Sequence, residues 1–293
     1  MGNAIRWLKD FIIHIDPDTE ERIAKADICD AIDLFIRERI TVADTAISST
    51  ASSKIKPGST VVTFAKSSIV EQTLLKAHDK GTRFKVIVID SRPLFEGKNL
   101  ARTLADAGIE TQYMLLAGAA HAVQGADLVL LGAHAMMANG RLYSRVGTAS
   151  VAMLAHSRDV PVIVCCESIK FTDRVALDSI VLNEIAPPDE LLLPSEQTTN
   201  TASPAEVPSH DKSSKGDKTS KGGASKGADT EKEHDANAGL SRWRDVQGLQ
   251  LLNILYDVTP AEYVDMVITE YGSLPPTSVP VVHRISTERD VRS

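Results

Sequence analysis

Aromatic residues make up only 4% of the 293 positions, so aliphatic side chains must fill the core. No apolar run approaches the roughly 20 residues needed to span a bilayer, which excludes a transmembrane helix. The opening MGNAIRWLKD lacks the apolar stretch of a signal peptide. It begins Met-Gly, but Arg6 stands where a myristoylation signal wants Ser or Thr. It reads as the start of a helix. Cysteine is scarce as well: Cys29, Cys165 and Cys166. No CxxC or zinc-ligand spacing exists, so no metal centre is expected. Cys165 and Cys166 adjoin within VPVIVCCES, and on a strand they point to opposite faces, unable to bond each other. A reducing cytosol fits this usage.

Positive charge is also lacking. The formal net charge is −7, so no phosphate-neutralising excess exists, which argues against general nucleic-acid affinity and leaves only a local basic patch open. No GxGxxG follows a strand, and there is no GxxxxGK[ST], GxSxG or HExxH. Dinucleotide binding, P-loop hydrolysis, α/β-hydrolase chemistry and a zinc protease lose their usual signatures.

What is present changes character near residue 56. Before it, Ile5, Leu8, Ile12 and Ile15 recur at helical spacing. Asp16 or Asp18 offers a cap, with Pro17 in the first turn, for a second helix. That helix carries one apolar stripe: Ile28, Ile32, Phe35, Ile36, Ile40, Ala43 and Ile47. After the turn at Pro57-Gly58 come short apolar runs, TVVTFA, FKVIVID, TQYMLLA, DLVLLGA and PVIVCC. Helical patterns separate them, two of them stopped by Gly81 and Gly108. The expected class is α/β, a parallel sheet with helices on both faces, preceded by the end of a helical domain. Residues 1–56 are assigned to that helical part and 57–293 to the sheet domain. A Ser/Lys/Gly-rich insertion at 195–239 interrupts the second part and is too polar to bury a core, so it is expected to be disordered. Order returns at LQLLNILYDVTPAEYVDMVITEYG. There Thr259, Pro260 and Glu262 fit a capping box opening a helix that Gly272 stops. SVPVVHRI is expected as a final strand.

Two places have the layout of a phosphate site. In FAKSSIVE a strand ends, Ser68 and Glu71 fit a capping box, and Lys66 adds a cation beside Ser67. In SRVGT, Gly147 and Thr148 open a helix beside Ser144 and Arg145. Both fit an anion cradle, and both fit ordinary capped βα units. Asp90, ending the second strand, could bind a ribose hydroxyl or cap its own loop. His134 lies in the ligand-loop position of GAHAMMANG, where it could act in catalysis or simply be hydrogen-bonded.

Several long stretches together resemble one family. They are VIDSRPLFEG, LLGAHAMMANGRLYSRVGTASVAMLAH, VPVIVCCESIKF, NEIAPPDEL and NILYDVTPAEYVDMVITEYGSLPPTSVPVV. They are similar to the regulatory subunits of eukaryotic translation initiation factor 2B, in particular to the delta branch. The superfamily includes methylthioribose-1-phosphate and ribose-1,5-bisphosphate isomerases. The resemblance implies a helical domain followed by a Rossmann-like domain. It also implies a non-catalytic regulatory subunit of a guanine-nucleotide exchange factor, without a cofactor. Implied partners are the beta subunit in a heterodimer, the alpha, gamma and epsilon subunits, and initiation factor 2, especially with its alpha subunit phosphorylated. The isomerases use a cysteine where this chain has Ala65, and an aspartate where it has His134. Their phosphate element corresponds to Asn139, Gly140, Ser144, Arg145, Val146, Gly147 and Thr148. The LLNILYDVTP segment lies near the family's subunit interface, which makes Leu252, Ile254 and Tyr256 interface candidates. The alternatives are an active sugar-phosphate isomerase and a sensor of sugar phosphates or nucleotides.

Overall fold

The computed structural model describes residues 2–181, 183–192, 240 and 242–290, the last six without their side chains. The insertion expected at 195–239 lies outside the described residues. Two compact units emerge: Met1–Ala186 with Ile254–Ser293, and Pro187–Asn253.

The first unit opens with α1 (Gly2–Ile13) and α2 (Glu21–Ile36). Helix α2 starts later than the sequence suggested. Asp16 Oδ1 accepts from Asp18 N–H at 3.0 Å, a local turn that uses up the expected cap, and Glu20 holds the N-cap position. Trp7 stacks on Phe35 with ring centroids 4.4 Å apart and ties the two helices together. A π-helical turn, Arg37–Thr41, then leads into α3 (Val42–Ser52). The widened turn rotates the apolar stripe, so it is not continuous: Ala43 and Ile47 are buried, while Ile36 and Ile40 are exposed.

The main sheet is doubly wound. Strands β1 (Thr60–Phe64), β2 (Lys85–Asp90), β3 (Glu110–Leu115), β4 (Leu128–Gly132) and β7 (Val162–Cys165) match the five apolar runs and lie parallel. Parallel β9 (Met266–Thr269) and antiparallel β10 (Gly272–Leu274) complete the order β10-β9-β7-β4-β1-β2-β3. Between the strands run α4 (Ser68–Asp79), α5 (Gly97–Asp106), α6 (Ala119–Gln124) and α7 (Thr148–His156). Alternate strand residues feed two cores. Val62, Ile87, Val129 and Val164 pack against α6 and α7. Val61, Val88, Leu130 and Cys165 pack against α3, α4 and α5. Cys165 and Cys166 therefore sit on opposite faces, both free. Burial is the main force raising both thiols, Cys165 to about 12, which leaves neither as a ready nucleophile.

The C-terminal stretch departs from the sequence reading. A small second sheet joins β5 (Ala135–Met136), β6 (Leu142–Arg145) and β8 (Tyr256–Thr259) in antiparallel pairs. Thr259 and Pro260 thus end a strand, and only a 3₁₀ turn, Ala261–Tyr263, follows before β9. SVPVVHRI is not a strand: after a 3₁₀ turn at Pro276–Ser278, α8 runs Val279–Asp290. Pro280 falls in its first turn, where its missing N–H costs nothing; inside a sheet it would delete a ladder bond.

In the second unit, Asp189 binds Arg244 at 2.6 Å and accepts from Trp243 Nε1 at 3.1 Å. The Arg244 guanidinium lies 4.6 Å from the centre of the Trp243 ring.

Candidate functional site

In the strand order 3-2-1-4-7, the winding reverses between β1 and β4. The carboxyl ends of those two strands diverge there and leave a crevice. A hollow of about 210 Å³ occupies it. Ala65, Lys66, Ser67 and Ser68 line it from beyond β1, and Gly132, Ala133 and His134 from β4. Ser144 and Arg145 of β6, with Glu96, Lys170 and Tyr256, close it. Ala65 and His134 thus share one cavity.

Each side chain has a definite setting. Ala65 is buried with φ 54°, its N–H donating to Ile89 O at 2.8 Å. It presents only a methyl group to the hollow. The capping box expected at Ser68 and Glu71 does not form. Ser67 occupies the N-cap without a side-chain cap bond, and Glu71 pairs with Lys66 at 3.2 Å. Gly132 lets Ser67 approach β4 closely, since a Cβ there would overlap Ser67 Oγ. Ser144 Oγ donates to Gly132 O at 3.3 Å. Arg145 is held in two-pronged contact by Glu96, at 2.9 and 3.2 Å, and lies 5.1 Å from the Tyr256 ring centre. Lys170 pairs with Glu167 at 2.7 Å. All three cations of the hollow therefore carry a carboxylate partner, and their pull on an anion is largely cancelled.

His134 packs its ring against Tyr256 and Tyr143, centroids 4.7 and 5.7 Å away. Partial desolvation lowers its pKa; Glu184 opposes this, while Arg145 and Lys170 push the same way. The neutral imidazole therefore prevails at physiological pH.

Other expected pocket residues are spent elsewhere. Gly147, in a left-handed conformation with φ 106°, caps α7. The free N–H groups of that helix end are already taken: Gly147 and Ala149 donate to Asp257 Oδ2 at 2.6 and 3.0 Å. Asp257 thus sits where an anion was expected. Thr148 Oγ1 turns back to Arg145 O at 2.6 Å. Asn139 and Gly140 hold the β5–β6 turn: Asn139 Nδ2 donates to Ala176 O at 2.9 Å, and Gly140 faces Pro276 O too closely for any Cβ. Asp90 is buried in an adjoining cleft, accepting from Ser91 N–H and Tyr113 OH at 3.0 Å each. Burial, then the Asp90 charge, raises Tyr113 to about 12. Of the interface candidates, Leu252 is exposed and Ile254 half-buried. Tyr256 is instead buried, stacked on Tyr143 at 4.8 Å and lining the hollow. Glu96, Lys170 and Asp257 were not anticipated. Asp257, an acid inside the otherwise apolar LYDVTP run, was the one of these with a visible signal.

Residues 1–276 match the sequence profile described as the Initiation factor 2 subunit family. The chain belongs to that family. Among its members, translation initiation factor eIF2B subunit delta of Schizosaccharomyces pombe is 38% identical over 96% of this chain and 53% of its own length. Ribose 1,5-bisphosphate isomerase of Archaeoglobus fulgidus is 27% identical, over 78% of this chain and 58% of its own. Among solved structures, the tetrameric eIF2B-beta2-delta2 complex from C. thermophilum contains a chain of like fold. Its TM-score is 0.68 at 34% identity, covering 92% of this chain and 69% of that one. The chain spans about half the length of the curated relatives it matches. None of the described helices is long and apolar enough to cross a membrane.

Proposed function

We propose that this chain is a delta-type regulatory and scaffold subunit of the guanine-nucleotide exchange factor for initiation factor 2, with an isomerase-like hollow that no longer catalyses. One observation supports the reading: the crevice at the strand reversal is lined by Ala65 and by cations that each carry a carboxylate partner. Sugar isomerisation needs groups that move a proton between neighbouring carbon and oxygen atoms. At the two positions that matter stand a methyl group, Ala65, which can neither give nor take a proton, and a ring-stacked imidazole, His134, which can accept one but has no partner group opposite it among the described residues. Glu96 holds the one arginine and Asp257 fills the helix end. The similarity to delta subunits and to a beta2-delta2 assembly supports the same reading.

An exposed apolar ridge supports a subunit role. Val175, Leu177, Ile180, Val181 and Ile185 are 55–84% exposed within one short stretch. Hydrogen bonds hold this stretch: Ala138 N–H donates to Arg174 O, Ile180 N–H to the Asp178 carboxylate, and Leu255 N–H to Glu184 O. A fixed ridge of this kind is costly in water and suits a lasting interface. We assign it, together with Ile254, to a beta-type partner; Leu252, exposed in the other unit, is a separate interface candidate. The alpha, gamma and epsilon subunits, and initiation factor 2 with its alpha subunit phosphorylated, complete the proposed partners in the cytosol. Co-expression with the beta subunit tests this. Wild-type chain co-purifies; Ile180→Asp with Val181→Asp, on an exposed surface, keeps its melting temperature and loses the partner. Undiminished co-purification of the variant contradicts the assignment, and failure of the wild type contradicts the subunit role.

A further inference from the structure

Helix α3 is seated on the sheet by two kinds of contact. Ile47 and Ala51 are apolar and fully buried. Asp44, in the first turn of the helix, is not: its carboxyl meets that of Glu167, just beyond β7. Asp44 Oδ1 and Glu167 Oε2 are shut off from solvent and lack a hydrogen-bond partner. Lys170 Nζ lies 2.7 Å from Glu167 Oε2 as an ion pair outside hydrogen-bond geometry. Gln72 of α4 bonds Asp44 from the other side.

The remaining charged or titratable groups around the pair are otherwise engaged. Lys76 of α4 donates to Thr45 O and Ser48 Oγ at 3.1 and 3.3 Å. Glu270, at the end of β9, is taken up by the N–H and hydroxyl of Ser168. Cys165 and Cys166 are thiols raised out of range by burial first and by the Glu167 charge second. Two carboxylates and one ammonium leave one buried negative charge in excess. A proton held between the carboxyls removes it, and turns an orphaned oxygen pair into a hydrogen bond.

We propose that the Asp44–Glu167 pair is a proton-operated catch, which fastens α3 and the helices before it to the sheet when protonated and slackens when the proton leaves. Desolvation first and the Glu167 charge second raise Asp44 from 3.8 to about 6, which fits a shared proton. The folded value exceeds the unfolded one. The stabilisation is therefore complete below about pH 4 and is lost as pH rises through about 6. The full shift would correspond to about a hundredfold change, but Asp44 is partly solvated, so about tenfold is expected.

Native-state hydrogen exchange of the α3 amides, corrected for intrinsic rate and expressed relative to the β4 amides that follow global unfolding, reads the catch directly in the complete chain. Wild-type protection is expected to fall about tenfold from about pH 5 to about pH 7.5. In Asp44→Asn the amide donates to Glu167 as the protonated acid does, so α3 protection is expected to be the same at both pH values. Asp257→Asn, far along the sequence at α7, is expected to leave the wild-type α3 response intact. A flat wild-type profile overturns the proposal, and so does an Asp44→Asn response equal to wild type. Should Asp44→Asn fail to fold, Glu167→Gln puts the same question: a weakened pH response supports the catch and an unchanged one overturns it.

Discussion

At Ala65 the backbone adopts φ 54°, a left-handed conformation that costs an alanine about 1–2 kcal/mol. The strain aims a side chain into the crevice between β1 and β4, although the side chain there has nothing to offer chemically. Asp257 is the other costly residue. Burial raises it to about 6 in spite of its two N–H donors, so the folded state binds its proton more tightly than the unfolded chain. Stability from this group is greatest below about pH 4 and is lost as pH rises through about 6, on the order of 2–3 kcal/mol in all. Urea midpoints should therefore drop more between about pH 4.5 and 7 in wild type than in Asp257→Asn; parallel profiles would refute the assignment. Gly147→Ala should destabilise the fold by about 2–4 kcal/mol in chemical denaturation. Its φ of 106° disfavours any Cβ, and that atom would lie 2.6 Å from Phe64 Cζ. A loss under about 0.5 kcal/mol would mean the turn relaxes freely.

Among the elements, α3 joins the N-terminal helices to the sheet. Ile47 is fully buried against it, so Ile47→Ala should cost about 2–5 kcal/mol, read from the urea midpoint. An unchanged midpoint would show that α3 is not part of the cooperative core. Four of the five parallel strands were legible because buried strands carry near-continuous Val, Ile and Leu; β3, a mostly exposed edge strand, was placed by the TQYMLLA run between two helical patterns. The stretch from Thr259 to Gly272 was misread as a helix. Its apolar residues Val264, Val267 and Ile268 satisfy both periods, and β9 is only four residues long. In α8 the β-branched run SVPVV argued for a strand, and Pro280 carried the contrary signal. The π turn at Arg37–Thr41 left no mark in the sequence, because an added residue in a helical turn is neither polar nor apolar.

Across the whole molecule, the crevice forms because strand order reverses between β1 and β4, which no local pattern reveals. Ala65 could be named beforehand only through the family resemblance, whereas His134 stood out already as the histidine of the loop after β4. The closing of the α7 end by Asp257 spans 110 residues of sequence and came to light only in three dimensions. The same holds for Glu96, which reaches across 49 residues to take Arg145. These pairings turn what reads as a phosphate cradle into a neutralised hollow, and they underlie the central claim that the chain holds no isomerase chemistry. The most direct check is turnover of ribose 1,5-bisphosphate by the purified chain, followed by phosphorus NMR. The account predicts conversion no faster than in buffer alone; conversion at an enzymatic rate, abolished by His134→Ala, would contradict it.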